Sequence, residues 1–215
     1  MTMAATAAPS RKASKEVRKQ QLIEATIRIL AQKGYAALTV ADVAKAAGLS
    51  TGIIIFHFIS KDELLASVLR HLAEEYHRNW KRALAEAGAA PEARMAALVL
   101  SDFNEEVYTT DKLAAWIAFW GETQGRPTYD QICAGLDAER QAANLSCCEA
   151  MIASGRYDID ARTAMQALEA LGDGLWLGVA SAGSGMTGRV TPQDAQRIMK
   201  AALKALFPKH YGKFP

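Results

Sequence analysis

Between residues 14 and 33 the apolar side chains Val17, Leu22, Ile23, Ile27, Ile29 and Leu30, with Thr26 among them, mostly return at intervals of three and four, the period of a helix that buries one face. Gly34 supplies its stop. Thr39 stands as the N-cap of a short second helix over 40–47. Asp42 lies three residues on, placed to help satisfy the free amides of the first turn, and Gly48 closes the segment. Ser50 or Thr51 then opens a third helix, so two short helices meet across a tight glycine turn, which is a helix-turn-helix. Ser60 and Glu63 form a capping box that starts a long fourth helix reaching about residue 84. After a break at 87–91, helical periodicity resumes over 92–107, 111–122 and 127–154. Gly155 and Asp158 mark a turn, Asp160 caps a helix to residue 182, and a Gly/Ser-rich stretch follows at 183–188. Thr191 and Pro192 open a last helix that stops at Pro208. No segment alternates with period two and no internal repeat is present, so the pattern predicts an all-α fold of about nine helices. It divides into a disordered basic arm over 1–13, a helix-turn-helix domain over 14–60 and a larger helical domain over 61–215.

Composition narrows this picture. A chain of 215 residues can bury a substantial core. Half of it is hydrophobic, yet no apolar run approaches the roughly 20 residues of a membrane-spanning helix, so no membrane is expected. The first residues lack the apolar stretch of a secretory signal. Cys133, Cys147 and Cys148 are odd in number and in no metal-ligand spacing, which points to the reducing cytoplasm and to no metal site. The net charge of +2 conceals an asymmetry: residues 1–61 carry nine Lys and Arg against three acids, and the remainder 16 against 20. A basic front on an acidic body is the distribution of a protein that meets a polyanion at one end, although a solvated basic face gives the same count.

On a helical wheel over 51–58, Ile54 and Phe58 share the core face with Leu49 below them. Thr51 and Ile55 stack on another face with Gly52 and Phe56 beside it, so Ile55 and Phe56 project outward or pack on the first helix. Outward, they need a partner, and thymine methyls and sugar edges in a DNA major groove provide one while Thr51 and the Gly52 backbone approach bases and phosphates. At this point the chain resembles the N-terminal domain of the TetR family of one-component repressors. The residues that carry the resemblance are Leu22-Ile-Glu-Ala-Thr26, Gly34-Tyr35, Thr39-Val-Ala-Asp-Val-Ala44, Ala47-Gly-Leu-Ser-Thr-Gly52, His57-Phe58 and Lys61-Asp-Glu-Leu-Leu65. The resemblance implies phosphate contacts from Thr39 and Lys61 and a groove-facing segment from Ser50 through Phe56, with His57 capping or touching the backbone at its end. Many members carry a polar aromatic where Ile55 and Phe56 stand here, so apolar readout of thymine replaces a hydroxyl contact.

A second signal lies in the larger domain. Leu113, Trp116, Ile117 and Trp120 share a face, with Phe119 three residues from Trp116. Glu169, Asp173 and Trp176 follow an i, i+4, i+7 stripe, Asp173 between two glycines. Indoles and an acid around one space attract a quaternary ammonium, each ring face contributing about 0.5 to 2 kcal/mol; the alternative is that the tryptophans only fill a core. These segments resemble the effector domain of the BetI-like branch of the family, whose founding type represses choline-to-betaine genes and responds to choline. The resemblance implies a choline-like effector held by Trp116, Phe119, Trp120, Asp173 and Trp176. The chain departs from the branch at Gly121-Glu-Thr-Gln-Gly-Arg-Pro127, and a polyamine or a neutral apolar effector stays open.

The resemblance also implies a homodimer through the helices at 160–182 and 191–207, where Met165, Leu168, Leu171, Leu175 and Val179 face Ile198, Ala202, Leu203 and Leu206. A two-fold dimer doubles the contacts on a palindromic operator. The expectation is a cytoplasmic, effector-responsive DNA-binding repressor with no cofactor and no catalytic residue. Two rivals remain: a small-molecule enzyme using Cys147 and Cys148, which no phosphate loop or catalytic carboxylate pair accompanies, and a DNA-binding scaffold without effector.

Overall fold

A computed structural model describes residues 11–122, 127–180 and 190–212. Ten helices and no strand occur among them. Residues 1–10 of the expected arm, residues 123–126 of the Gly121–Pro127 departure and the Gly/Ser-rich 183–188 lie outside the described residues.

The helical period at the start of the chain becomes α1 (Arg11–Ala37), which begins inside the segment read as an arm. Gly34 breaks it at φ 74°, ψ 178°, a backbone setting that costs an L-residue strain and a glycine none. A last turn carrying Tyr35 therefore leaves at an angle. α2 (Val40–Ala47) is capped by Thr39, whose Oγ1 accepts from the Asp42 amide, and ends on left-handed Gly48 at φ 65°. α3 (Thr51–His57) follows with the chain bent through 105°. Leu22, Leu30, Leu38, Val43, Ile54 and Phe58 close a small core between the three helices. Gln21 Nε2 ties α1 to the Ala47 carbonyl at 2.7 Å.

α4 (Lys61–Glu86) runs from this unit into the rest of the molecule. Its start is capped by Ser60, whose Oγ accepts from the Glu63 amide, while the Glu63 carboxylate reaches the Ile59 amide at 2.6 Å, one residue earlier than a standard box. Leu64, Leu65, Val68, Leu69 and Leu72 bury its first half and Trp80 its second. Around it lie α5 (Pro91–Ser101), α6 (Thr110–Trp120), α7 (Thr128–Gly155) and α8 (Ala161–Ala180), with α9 (Pro192–Leu206) across α5 and α8.

Two segments differ from the periodic reading. The helix expected over 92–107 ends at Ser101, because polar groups beyond it are captured by neighbours. Asn79 Nδ2 donates to the Ser101 carbonyl at 2.7 Å, and Asn104 turns the chain by accepting from the Glu106 amide. At the other end the chain continues past Pro208 into α10 (Pro208–Tyr211), where proline serves as a first helical residue. Tyr211 is fully buried, its hydroxyl on the Glu92 carbonyl at 2.6 Å. No single helix among the described residues is long and apolar enough to cross a membrane.

Candidate nucleic-acid surface and ligand cavity

The residues of the α2–α3 unit divide by face. Ile54 and Phe58 are 2% exposed, whereas Ile55 and Phe56 are 67% and 69% exposed. Ile59, which the sequence reading passed over because it sits in a loop outside any period, is 90% exposed. Thr51 and Gly52 are exposed, and Ser50 opens α3 without a side-chain capping bond. Thr39 is exposed but already engaged: besides its cap it donates to Asp42 Oδ2 at 2.7 Å, while Lys33 holds Asp42 Oδ1 at 2.7 Å. Those hydrogen bonds, Lys33's first, keep the Asp42 carboxyl below its usual pKa. His57 is half-buried with its ring against Phe56 and Phe58. Burial, then the Lys15 charge, lower its pKa. Lys15 Nζ stands 5.4 Å over the Phe56 ring, and Lys61 Nζ lies 3.5 Å from the Tyr35 carbonyl.

A cavity of about 260 Å³ opens in the larger domain. Tyr76 of α4, Trp116 and Trp120 of α6, Tyr129 of α7 and Trp176 of α8 supply its aromatic lining. The indole N–H groups are tied back: Trp176 Nε1 donates to the Asp102 carbonyl at 3.2 Å and Trp120 Nε1 to the Tyr129 hydroxyl at 3.1 Å. Trp116, Trp120 and Trp176 lie mutually 6.2–6.4 Å apart, centroid to centroid. With the polar edges of Trp120 and Trp176 anchored, the ring faces are what these two have to offer a ligand. Phe119, expected beside them, is not part of this lining. It is buried on the other side of α6, edge-on to Tyr35 at 5.8 Å, because α6 packs along α1 as well as on the cavity.

The polar lining was largely hidden from sequence. Arg140 Nη2 grips both oxygens of Asp102 at 2.9 and 2.6 Å, and the Tyr76 hydroxyl donates to Asp102 Oδ1 at 2.8 Å. Burial works against the charge on Arg140, but the Asp102 charge and hydrogen bond, with Tyr76 and Glu169, together raise its pKa, while burial also raises that of Asp102. Asp137, Glu169 and Asp173 also line the cavity, giving four carboxylates against the one guanidinium. Asp137 and Asp173 are exposed as residues, at the mouth, but their carboxyls are partly screened from water by the cavity wall; this partial desolvation, then, for Asp173, the Asp102 and Glu169 charges, raises their pKa. A signal was available in part, since Cys133, Asp137, Arg140 and Asn144 recur at four, three and four along α7.

Elsewhere, burial pushes the Cys148 thiol up to about 12 and raises that of Cys147, so neither is a thiolate nucleophile at neutral pH. Met165, Leu168 and Leu175, assigned to a dimer seam, are buried within the chain itself, and the side chain of Val179 is outside the described residues. The outward face of α8 is a different row, Thr163, Ala167, Ala170, Gly174 and Leu177 at spacings of four and three, all exposed.

Comparison with known proteins bears on both halves. The family model for bacterial regulatory proteins of the tetR family matches residues 22–68, and that for the C-terminal domain of BetI-type transcriptional repressors matches residues 91–208. A curated HTH-type transcriptional regulator BetI from Burkholderia thailandensis is 35% identical over 188 residues, covering 87% of this chain and 91% of its own. Among solved structures, a protein from Pseudomonas aeruginosa PAO1 described as a transcriptional regulator superposes with a TM-score of 0.72 at 29% identity, covering 93% of this chain and 95% of its own. Another so described, from Saccharomonospora viridis and solved in complex with choline, gives 0.72 at 22% identity, covering 88% and 96%.

Proposed function

Because this chain belongs to the TetR family of bacterial regulatory proteins and is a transcriptional repressor of the BetI type, we propose that it binds a palindromic operator as a homodimer in the cytoplasm and leaves it when a small quaternary ammonium compound fills the cavity. The observation that carries the effector assignment is the composition of that cavity: three indoles, two of them anchored by their N–H groups, and four carboxylates against one guanidinium. Such a space attracts a cation through ring faces and charge together and offers little to an anion. The choline held by the Saccharomonospora viridis protein, which has the same fold, supports the choice.

On this reading residues 14–60 bind DNA and residues 61–215 bind effector and partner. Thr51, Gly52, Ile55 and Phe56 face the groove with Ser50 at the turn, Thr39 and Lys61 meet phosphates and His57 braces the end of α3. Trp116, Trp120, Trp176 and Asp173 hold the effector. The exposed row on α8, including Leu177 at 54% exposure, with Ala201 and Ala205 on α9, is the surface for a second copy. Lys61 and Tyr76 lie fifteen residues apart on α4, about 22 Å, so one helix carries both a phosphate contact and a cavity wall. A coupling of about 1–3 kcal/mol between the sites changes operator affinity five- to 150-fold.

Titrating tryptophan fluorescence with choline, with its uncharged isostere 3,3-dimethylbutan-1-ol and with spermidine tests the effector assignment. Saturable change with choline alone is expected, and Asp173→Asn, which removes an exposed charge at the mouth, weakens it up to about fivefold. An equal response to the alcohol identifies a neutral effector instead, and a response to spermidine alone a polyamine.

A further inference from the structure

Among the described residues, two buried polar atoms of the cavity wall have no hydrogen-bond partner. Asn144 is 2% exposed and lines the cavity from α7. Its Nδ2 donates to Glu169 Oε1 at 3.2 Å, and this settles which end of the amide is oxygen, because the reversed amide sets two acceptors against each other. Oδ1 is then a buried acceptor with no partner. One turn earlier the Nε of Arg140, whose Nη2 holds Asp102, is a buried donor with no partner. About nine in ten buried polar groups in proteins are paired, so an unpaired acceptor in a cavity wall marks a place a ligand group completes.

A quaternary ammonium cannot complete it. Its methyl groups suit the indole faces but it carries no N–H. Glu169 beside Asn144, and Asp137 and Asp173 elsewhere in the lining, are acceptors as well. We infer that the effector carries, besides its cationic centre, a hydrogen-bond donor that meets Asn144 Oδ1, and that Asn144 selects donor-ended cations over those ending in methyl or carboxylate. This rests on the cation-site reading above. A hydroxyl and a primary ammonium share the required chemistry. The hydroxyl also accepts from Arg140 Nε, whereas the ammonium adds a second charge facing three carboxylates not held by Arg140. A carboxylate end satisfies Arg140 but meets oxygen everywhere else.

Calorimetric titration of the intact protein with choline, (2-aminoethyl)trimethylammonium, propyltrimethylammonium and glycine betaine tests the inference and separates the two donors. Choline and the aminoethyl compound are expected to bind about tenfold tighter than propyltrimethylammonium, with betaine weakest. Asn144→Leu is expected to close the gap between choline and propyltrimethylammonium. The series on the unaltered protein decides the matter even where the variant fails to fold. Equal binding of choline and propyltrimethylammonium overturns the donor requirement and leaves the cation site standing. No binding by any of the four overturns both, and a gap that persists in Asn144→Leu overturns the role of Asn144.

Discussion

The helix-turn-helix unit and the cavity invert each other. Around α3, large apolar side chains are displayed to solvent among basic residues, Ile55, Phe56 and Ile59 beside Lys15 and Lys61. In the cavity, charged groups are withdrawn among aromatic rings, Asp102 and Arg140 against Tyr76 and Trp176. Each arrangement is unfavourable in isolation, since exposed apolar surface and buried charge both carry a cost in water. The first is relieved by a partner from outside, the second by a partner within the chain. The contrast teaches which changes will unfold the molecule and which will only alter what it binds.

The strongest way to break the contrast is to strand a buried charge. Asp102→Ala leaves Arg140 unpaired and is expected to lower unfolding free energy by about 3–5 kcal/mol in urea titrations, whereas the double change Asp102→Leu with Arg140→Met recovers most of it. A loss no larger than that of a surface substitution refutes the lock. Phe56→Ala, by comparison, leaves stability within about 0.5 kcal/mol and acts on DNA alone. Replacing thymine by uracil in the operator costs the unaltered protein about 1 kcal/mol per contacted methyl, and costs the variant nothing further at the positions Phe56 touches. Identical uracil penalties in both proteins remove Phe56 from the readout.

A pH series sharpens the comparison on the cavity side. The raised pKa of Asp137 and Asp173 means that the empty fold favours their neutral forms. Their contribution to stability is fully present below the ordinary aspartate value and is lost as pH rises through the raised one. A bound cation favours the ionised forms, so choline affinity falls as pH drops through the same window. Calorimetry in buffers of different ionisation heat reads the linked proton release, and Asp173→Asn reduces it. The smallest expected effect lies on the DNA side. Lys61→Gln lowers the slope of log affinity against log salt by about 0.9 for one lost phosphate contact. An unchanged slope places Lys61 off the backbone.

The helices were legible because burial on one face writes a period of 3.6 into local sequence, and because Thr39, Gly48, Ser60 and Thr191 mark ends by chemistry confined to one turn. The tryptophans were legible for the same reason, as bulky residues at helical spacing. Asp102 and Arg140 were not: their partnership spans 38 positions, and a pattern read along one helix carries no trace of it. The period continued through Asp102 as if α5 did, while the actual end depends on Asn79, from another helix, taking the Ser101 carbonyl. Phe119 was misplaced for a related reason. A wheel shows which residues share a face but not that α6 has neighbours on two.

That two-sidedness has a mechanical corollary. Trp116 and Trp120 border the cavity while Phe119, between them in sequence, bears on Tyr35, and the Tyr35 carbonyl in turn receives Lys61. Little more than one helical turn holds all three rings, too short a rod to bend. A roll or slide of α6 that shifted the Trp116 and Trp120 backbones would shift that of Phe119 by a comparable amount, and would bear on the single turn of chain beyond Gly34 that touches the lysine opening α4.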